Sequence, residues 1–276
     1  MHPTLPALSE TLLWTLHNRA HESLREGGAL RDPNAVRIYQ AIRYDFTRHF
    51  GPPDGSHARR SGAFDRIVGA WIERNPDGVV IALGDGLETQ NWRLDNGRIR
   101  WISVDLPEAM ALRESFLPAT ERFRNVVGDV RNLEWKPVVD SAGRRAIFIT
   151  AAGLLMYLEP ESVRHLLAEL ATRFAPCELL FDVIPRWFSR LTLLGLHKTP
   201  HYKLPPMPFG LDRDEIQPAV LSIQPKFTRV SITPFPLFDR RWAWLQQVAL
   251  SIPGLRTRGP NLVHVQIDGI ERSRSA

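Results

Sequence analysis

The amino-acid sequence predicts an α/β fold built on a doubly wound, seven-stranded, mainly parallel sheet. Short apolar runs alternate along the chain with stretches whose apolar residues recur at helical spacing, which is typical of helices packed on parallel strands. Residues 79–83 (VVIAL) are apolar at every position, as expected of a central strand buried on both faces. We therefore expect a Rossmann-like sheet with additional helices before its first strand.

Three helices are expected before that strand. Residues 4–26, 34–50 and 61–74 each carry apolar side chains near helical spacing. The turn residues Asn75 to Gly78 (NPDG) then separate the last of these helices from the first strand. Two further helices, 106–114 and 161–174, are predicted between strands. The seven predicted strands are 79–83, 100–104, 124–127, 146–150, 178–184, 227–232 and 262–267.

Residues 185–212 differ from the rest because they contain five prolines interleaved with aromatic and histidine side chains. We predict a long irregular, lid-like insertion, of the kind that often covers a binding site. His197 and His201 stand four apart there, but Pro200 opposes the helix they would need to share a metal, so no metal site is expected. The whole chain is interpreted as one domain with four parts: a helical cap (1–75), a ligand-binding core (76–184), a substrate cover (185–225) and the final strands and helix (226–272).

Composition narrows the class of partner. The formal charge is +5, but the arginines are spread among acidic residues without a long basic run, which favours a solvated surface over nucleic-acid binding. Cys177 is the only cysteine, so an intramolecular disulfide and a cysteine zinc site are excluded. No apolar run is long enough to span a membrane, and no signal-like segment opens the sequence. These features indicate a cytoplasmic protein.

A glycine-containing loop directly after the first strand indicates a ligand site. Gly84, Asp85 and Gly86 allow a tight turn and a close approach of backbone N–H groups to a ligand. The third glycine of the dinucleotide fingerprint would fall at position 89, where Thr89 stands. A nicotinamide dehydrogenase is therefore disfavoured.

Acids after the next two strands extend this pattern. Asp105 ends the second strand, where a carboxylate can accept the hydroxyls of a ribose; it can also cap the helix that begins at Leu106-Pro107. Asp129, with the apolar Val130, follows the third strand and can receive an adenine, although an ordinary turn would have the same composition. Because the carboxyl ends of parallel strands meet at one rim, all three signals are expected to meet there.

On these residues the sequence resembles the leucine carboxyl methyltransferase family, in the branch of polyketide-synthesis O-methyltransferases. The resemblance covers roughly residues 30–190 and implies a class I methyltransferase fold with S-adenosyl-L-methionine as methyl donor. The matching segments are residues 60–65 (RSGAFD), 79–89 (VVIALGDGLET), 101–108 (WISVDLPE), 151–158 (AAGLLMYL) and 180–182 (LFD).

The resemblance also implies roles for individual residues. Arg60 would bind the carboxylate of the methionine moiety; the alternative is an arginine on the surface of a helix. Gly84 and Gly86 would line the methionine portion, Asp105 would hold the ribose, and Asp129 and Val130 would hold the adenine. Asp85, Leu106 and Ala151 would complete the cofactor site, and Tyr157 either faces the substrate as a catalytic residue or caps the sheet.

Two departures from the family pattern stand out. Gln90 follows Thr89 where relatives carry arginine, and Ala152 replaces a glutamate that would lie near the charged end of the cofactor. We expect an in-line methyl transfer to a carboxylate or hydroxyl of a small apolar or aromatic metabolite, as in secondary metabolism. The alternative is a catalytically weak or inactive S-adenosylmethionine-binding protein that acts as a partner or scaffold.

Overall fold

The computed structural model of the protein describes residues 7–140, 145–235 and 258–269. Within these ranges the chain forms a seven-stranded sheet with helices on both faces. The helix expected between the last two strands lies outside the described residues, as do the ends of the chain.

All seven predicted strands are present, and a small two-stranded hairpin adds two more. The strands of the sheet follow the order β3-β2-β1-β4-β5-β9-β8, and only β9 runs antiparallel to its neighbours, β5 and β8. The predicted doubly wound, mainly parallel sheet is thereby confirmed. In chain order the strands are β1 (Val79–Leu83), β2 (Arg100–Asp105), β3 (Phe123–Val127), β4 (Ile147–Ala151), β5 (Cys177–Val183), β6 (His197–Thr199), β7 (Tyr202–Lys203), β8 (Phe227–Pro234) and β9 (Asn261–Ile267).

Ten α-helices occur in the described residues, and a 3-10 turn, Leu155–Tyr157, follows β4. Four of them were not predicted from the sequence: the short α5 and α7, and α9 and α10 in the second half of the chain. The helices are α1 (Ala7–Leu24), α2 (Pro33–Ala41), α3 (Phe46–Phe50), α4 (Ser56–Arg74), α5 (Gln90–Arg93), α6 (Pro107–Phe116), α7 (Lys136–Asp140), α8 (Pro160–Phe174), α9 (Arg186–Leu193) and α10 (Arg213–Leu221).

The two faces of the sheet have separate cores. Val80 and Ala82 of β1 pack with α4, whereas their neighbour Ile81 belongs to the core on the opposite face, with α8. This alternation explains the unbroken apolar run in β1, because each side chain meets a helix whichever face it points to. Burial of each valine, isoleucine or leucine side chain in this run contributes about 1.5–3 kcal/mol.

Two predictions about elements were wrong. Residues 34–50 form two helices instead of one, because Ile42 is extended and Asp45 accepts a hydrogen bond from the N–H of Arg48, which starts a new helix. The segment 185–212 is not irregular throughout. It holds α9 and the β6–β7 hairpin, and its prolines lie outside these elements.

The order of the strands determines where a ligand can lie. The chain reverses direction across the sheet between β1 and β4, and the crevice at the carboxyl ends of these strands is where open α/β sheets bind ligands. The N-terminal helices cover this edge, since Leu12 and Leu16 of α1 share an apolar cluster with Leu87, just beyond β1. None of the helices in the described residues has both the length and the apolar character that crossing a membrane requires.

Candidate active site

A cavity of about 400 Å³ opens at the carboxyl edge of the sheet. This volume lies within the range of small-molecule sites. Its lining joins the loops after β1 to β4 with the first turns of α4 and one face of α1. Every predicted site residue except Ala151 lines it: Arg60, Gly84, Asp85, Gly86, Asp105, Leu106, Asp129, Val130 and Tyr157.

The loop after β1 passes close to other parts of the chain. Gly84 and Gly86 adopt φ values of 63° and 44°, which favour glycine. A Cβ atom on Gly84 would lie 2.8 Å from the side chain of Leu154, and one on Gly86 would lie 3.3 Å from that of Leu12. Glycine at both positions therefore lets the loop pack closely against the side chains of Leu154 and Leu12.

Asp105 is bound to this loop by its carboxylate. One side-chain oxygen accepts the N–H of Gly86 at 2.7 Å, and the other accepts the N–H of Leu106 at 2.8 Å. Burial raises the pKa of Asp105 to about 6, although both backbone donors oppose the rise. A carboxylate has about four acceptor positions, so two remain for hydroxyl groups in the cavity.

The loop is braced from behind by Arg113 of α6, which is fully buried. Its guanidinium donates to the carbonyls of Gly86 at 2.8 Å and Glu88 at 2.7 Å, and it pairs with Asp85 at 3.2 Å. Asp85 also accepts the hydroxyl of Ser103 at 2.5 Å, so its carboxylate is directed at the protein although the residue borders the cavity. Burial raises the pKa of Asp85, against the effect of Arg113.

Asp129, Val130 and Ala151 differ in whether they reach the cavity. Asp129 and Val130 line the cavity, but the carboxylate of Asp129 also accepts a forked pair of bonds from Arg131, which lowers its pKa. Ala151 does not line the cavity, because it lies in β4 and its side chain is buried in the apolar core. The wall at that point is formed by Ala152 and the residues after it.

Arg60 lies between the loop after β4 and the carboxyl end of β5. It pairs with Asp182 at 3.4 Å, and Asp182 accepts the N–H of Gly153 at 2.5 Å. The side chain of Arg60 is 11% exposed, and its buried Nε has no hydrogen-bond partner among the described residues. Arginine donors therefore remain for an anionic ligand.

A buried ionic network that the sequence did not predict joins the N-terminal helices to the glycine loop. Arg19 of α1 contacts Asp32 at 3.0 Å and Glu88 at 2.8 Å, and Arg93 contacts the same two acids. The hydroxyl of Thr89 donates to Asp32 at 2.7 Å. Burial favours the neutral form of Glu88, but the two arginines outweigh it and lower its pKa. Thr89 thus has a structural role at the position where a dinucleotide fold would carry glycine.

The other half of the cavity is mostly apolar. Trp14 of α1, Phe188 of α9 and Met207 line it together with Tyr157 and His57. Burial raises the pKa of Tyr157 to about 12, against the nearby Arg60. Burial and Arg60 lower the pKa of His57 to about 3. Neither group is a base near neutral pH.

Sequence reasoning missed the contributions of α1 and of the first turn of α4 to this half. Thr11, Trp14 and His57 carry no local motif, and the helical spacing predicted only that α1 exists. Phe188 was expected in the substrate cover, and it does line the cavity, whereas His197 and His201 of the same segment are exposed. No group of three potential metal ligands is found in the part of the chain that the structure describes.

The amino-acid sequence of the chain matches a known protein family. The model of the leucine carboxyl methyltransferase family matches residues 13–171. The tetracenomycin polyketide synthesis O-methyltransferase TcmP of Streptomyces glaucescens is 28% identical over 189 residues, which are 67% of this chain and 69% of that protein.

Solved structures show the same fold at low sequence identity. The CurJ carbon methyltransferase superposes with a TM-score of 0.54 at 16% identity, over 95% of this chain and 68% of that one. The methyltransferase domain of bacterial CtHen1-CN superposes with a TM-score of 0.51 at 11% identity, over 77% of this chain and 100% of that one. These likenesses support the class I methyltransferase fold.

Proposed function

The chain belongs to the leucine carboxyl methyltransferase family and uses S-adenosylmethionine as methyl donor, and from this premise we propose that it methylates a carboxylate or hydroxyl oxygen of a small, apolar or aromatic metabolite. The observation that carries the proposal is the apolar half of the cavity, which offers no base near neutral pH among its described residues. The polyketide O-methyltransferase TcmP is similar to this chain, which supports oxygen as the methylated atom and a role in secondary metabolism.

The cofactor fits the residues on the polar side of the cavity. Asp105 holds the ribose through its two free acceptor positions, and Arg60 binds the carboxylate of the methionine moiety. Asp129 and Val130 border the adenine, and Gly84 and Gly86 keep the loop open beside the methionine chain. The orphaned Nε of Arg60 and the closely packed glycine positions are the features of this structure that support the fit.

The absence of the family glutamate at Ala152 does not leave the charged end of the cofactor without an acid. Asp182 lines the cavity beside Arg60 and Gly153, and its side chain is 5% exposed. We propose that Asp182 provides the negative charge for the methionine ammonium. This arrangement favours an active enzyme over the inactive S-adenosylmethionine-binding protein.

The reaction needs little from the protein beyond position and exclusion of water. When bound, the cofactor supplies a methyl group already activated by its sulfonium. The side chains of Trp14, Phe188 and Met207 hold an apolar acceptor in line with that group and keep water away. Since a carboxylate is ionised at neutral pH, it requires no base, whereas an ordinary phenol with a pKa of about 10 does.

The parts of the domain divide this work. We propose that residues 1–75 form a cap that completes both halves of the cavity, and that 185–225 cover the acceptor. Phe188 and Met207 come from that second segment, and both line the apolar half.

Calorimetry and a turnover assay test the proposal. The purified chain is titrated with S-adenosylmethionine and then incubated with 2-naphthoate or 2-naphthol, and release of S-adenosylhomocysteine is measured. We expect binding of the cofactor and faster turnover with the carboxylate probe, and Asp105→Ala should abolish both. Binding without turnover of either acceptor would support the inactive alternative, and no binding of the cofactor would contradict the proposal entirely.

A further inference from the structure

We propose that His57 is the hydrogen-bond donor that orients the acceptor, and that Asn18 sets it in this role. The inference rests on the proposed function and assigns a specificity-determining residue to the apolar half of the cavity. It follows from the hydrogen bonds around the imidazole ring, from the position of the ring in the wall, and from the charges nearby.

The hydrogen bonds of Asn18 fix the tautomer of His57. The side-chain oxygen of Asn18 accepts the backbone N–H of Asp54 at 2.9 Å, which fixes the orientation of the amide. Its nitrogen therefore faces Nδ1 of His57 at 2.7 Å and must donate to it. Since Nδ1 accepts this bond, it carries no hydrogen, and the single proton of the neutral ring lies on Nε2.

The imidazole that carries this proton forms part of the cavity wall. The ring of His57 lines the cavity, and Trp14 packs against it edge to face with 4.7 Å between ring centroids. The Nδ1 edge of the ring is turned toward Asn18, so Nε2 lies on the opposite edge. No described residue accepts a hydrogen bond from Nε2. A donor without a protein partner beside a ligand cavity is available to a ligand.

Burial and the neighbouring charges keep the imidazole ring of His57 neutral. Among the charges that act most strongly on the ring, Arg60 of α4, Arg19 of α1 and Lys198 of β6 oppose protonation of His57, whereas Asp54 favours it. Together with burial they hold the pKa of His57 at about 3. The imidazole is therefore a neutral donor throughout the physiological pH range, and it cannot remove a proton from the acceptor.

The consequence is a preference for the hydrogen-bonding character of the acceptor. An N–H that never deprotonates binds an oxygen with a free lone pair, and it binds a charged oxygen more strongly than a neutral one. His57 would hold one carboxylate oxygen while the other faces the methyl group. Apolar contacts alone would leave the acceptor free to rotate about its ring.

The tautomer is tested directly on the intact chain. Long-range proton–nitrogen NMR on histidine-labelled protein, with the signal assigned from a His57→Phe sample, should show Nε2 protonated and Nδ1 bare at neutral pH. A protonated Nδ1, or a charged ring, would overturn the inference. This measurement depends on neither cofactor nor acceptor.

The role is tested by binding of 2-naphthoate to the chain saturated with S-adenosylhomocysteine. We expect His57→Phe to weaken 2-naphthoate by about 10- to 100-fold, because one hydrogen bond to a charged group is lost. Naphthalene, which has the same rings without an oxygen, should bind His57→Phe no more weakly than the wild type. Equal affinity of the two proteins for 2-naphthoate would overturn the role of His57, and so would no binding of 2-naphthoate to the wild type.

Asn18→Asp gives a second variant with a distinct readout. The new carboxylate keeps the bond to the N–H of Asp54 but raises the pKa of His57 and prefers a proton on Nδ1. Above that pKa, Nε2 loses its proton, so 2-naphthoate affinity should fall as the pH rises, unlike in the wild type. A merely structural change would weaken binding equally at every pH, and that result would contradict the proposal.

A failure of the proposed function is distinguishable from a failure of this inference. If S-adenosylhomocysteine does not bind to the wild-type chain, the proposed function is wrong. If S-adenosylhomocysteine binds with similar affinity to the wild type and to His57→Phe, the cofactor site is intact in both. A difference in 2-naphthoate binding between the two proteins then tests the role of His57 alone.

Discussion

The ionisation of Asp105 should control cofactor affinity at mildly acidic pH. The carboxylate accepts two backbone N–H groups and, in the proposed complex, two ribose hydroxyls. All four are donors, so the ionised form binds the cofactor and a proton competes with it. Because burial raises the pKa of Asp105 to about 6, the competition falls in an accessible pH range.

The size of the effect follows from the pKa. With a pKa of about 6, nearly all of the free protein is ionised at pH 7.5, but only about one molecule in eleven is ionised at pH 5. If only that form binds, the dissociation constant rises about tenfold between these two conditions, or about 1.4 kcal/mol. The sign is fixed: affinity is full above the pKa of the free protein and is lost as the pH falls through it.

Calorimetric titration with S-adenosylhomocysteine over this pH range measures the effect. The ligand adds little to it, since its α-carboxyl group titrates well below pH 5 and its α-amino group above pH 7. Arg131 lowers the pKa of Asp129, which therefore stays ionised throughout. Circular dichroism at each pH verifies that the chain remains folded.

Asp105→Asn is the matched control. The amide does not titrate, so the variant should bind more weakly near neutral pH and with a flat dependence on pH. A flat curve for the wild type would refute the assignment of Asp105. An equal slope in both proteins would assign the titration to another group, such as Asp85, whose pKa burial also raises.

Substitutions at Arg113, Arg60 and Tyr157 separate the roles of these residues, and Arg122→Met serves as the control for Arg113→Met. Arg113→Met removes a buried cation and should lower the free energy of unfolding by about 3–5 kcal/mol. Arg122→Met, at a partly exposed ion pair, should lower it by less than about 1 kcal/mol. Equal losses of the two variants in denaturant titrations would contradict the role of Arg113 in supporting the loop. Arg60→Met should weaken S-adenosylhomocysteine by at least about tenfold while leaving adenosine affinity unchanged, and a parallel loss of both would refute contact with the methionine carboxylate. Tyr157→Phe should keep the pH profile of turnover and change its rate by less than about tenfold, because a phenol with a pKa of about 12 is no base; loss of a basic limb would show otherwise.

The parts of the site that the sequence predicted are those set by a few consecutive residues at a strand end. Gly84 and Gly86 lie in the loop after β1, Asp105 ends β2, and parallel strands bring their carboxyl ends to one edge. Position along the chain was therefore enough to bring them together. The family resemblance, and not this reasoning, assigned Ala151 to the cofactor site; its side chain faces the core and does not line the cavity.

The site residues that the sequence did not predict are positioned by contacts between distant segments of the chain. Arg19 lies about seventy positions from Thr89, and its full burial is possible only because Asp32 and Glu88 arrive from two other elements. A single arginine in a predicted amphipathic helix more often lies on the surface. The helical spacing of the N-terminus thus predicted α1 correctly and gave no sign of what its polar residues contact.

Two consecutive residues of α1 connect both halves of the cavity. Asn18 holds His57 in the acceptor half, while Arg19 is bonded to Glu88 and to the carbonyl of Leu87 in the loop after β1. Because both residues belong to one helix, the donor proposed for the acceptor and the loop proposed for the cofactor share one support. We therefore propose that the N-terminal cap takes part in the catalytic geometry. A change that shifts α1 should disturb acceptor and cofactor binding together, whereas His57→Phe should disturb acceptor binding alone.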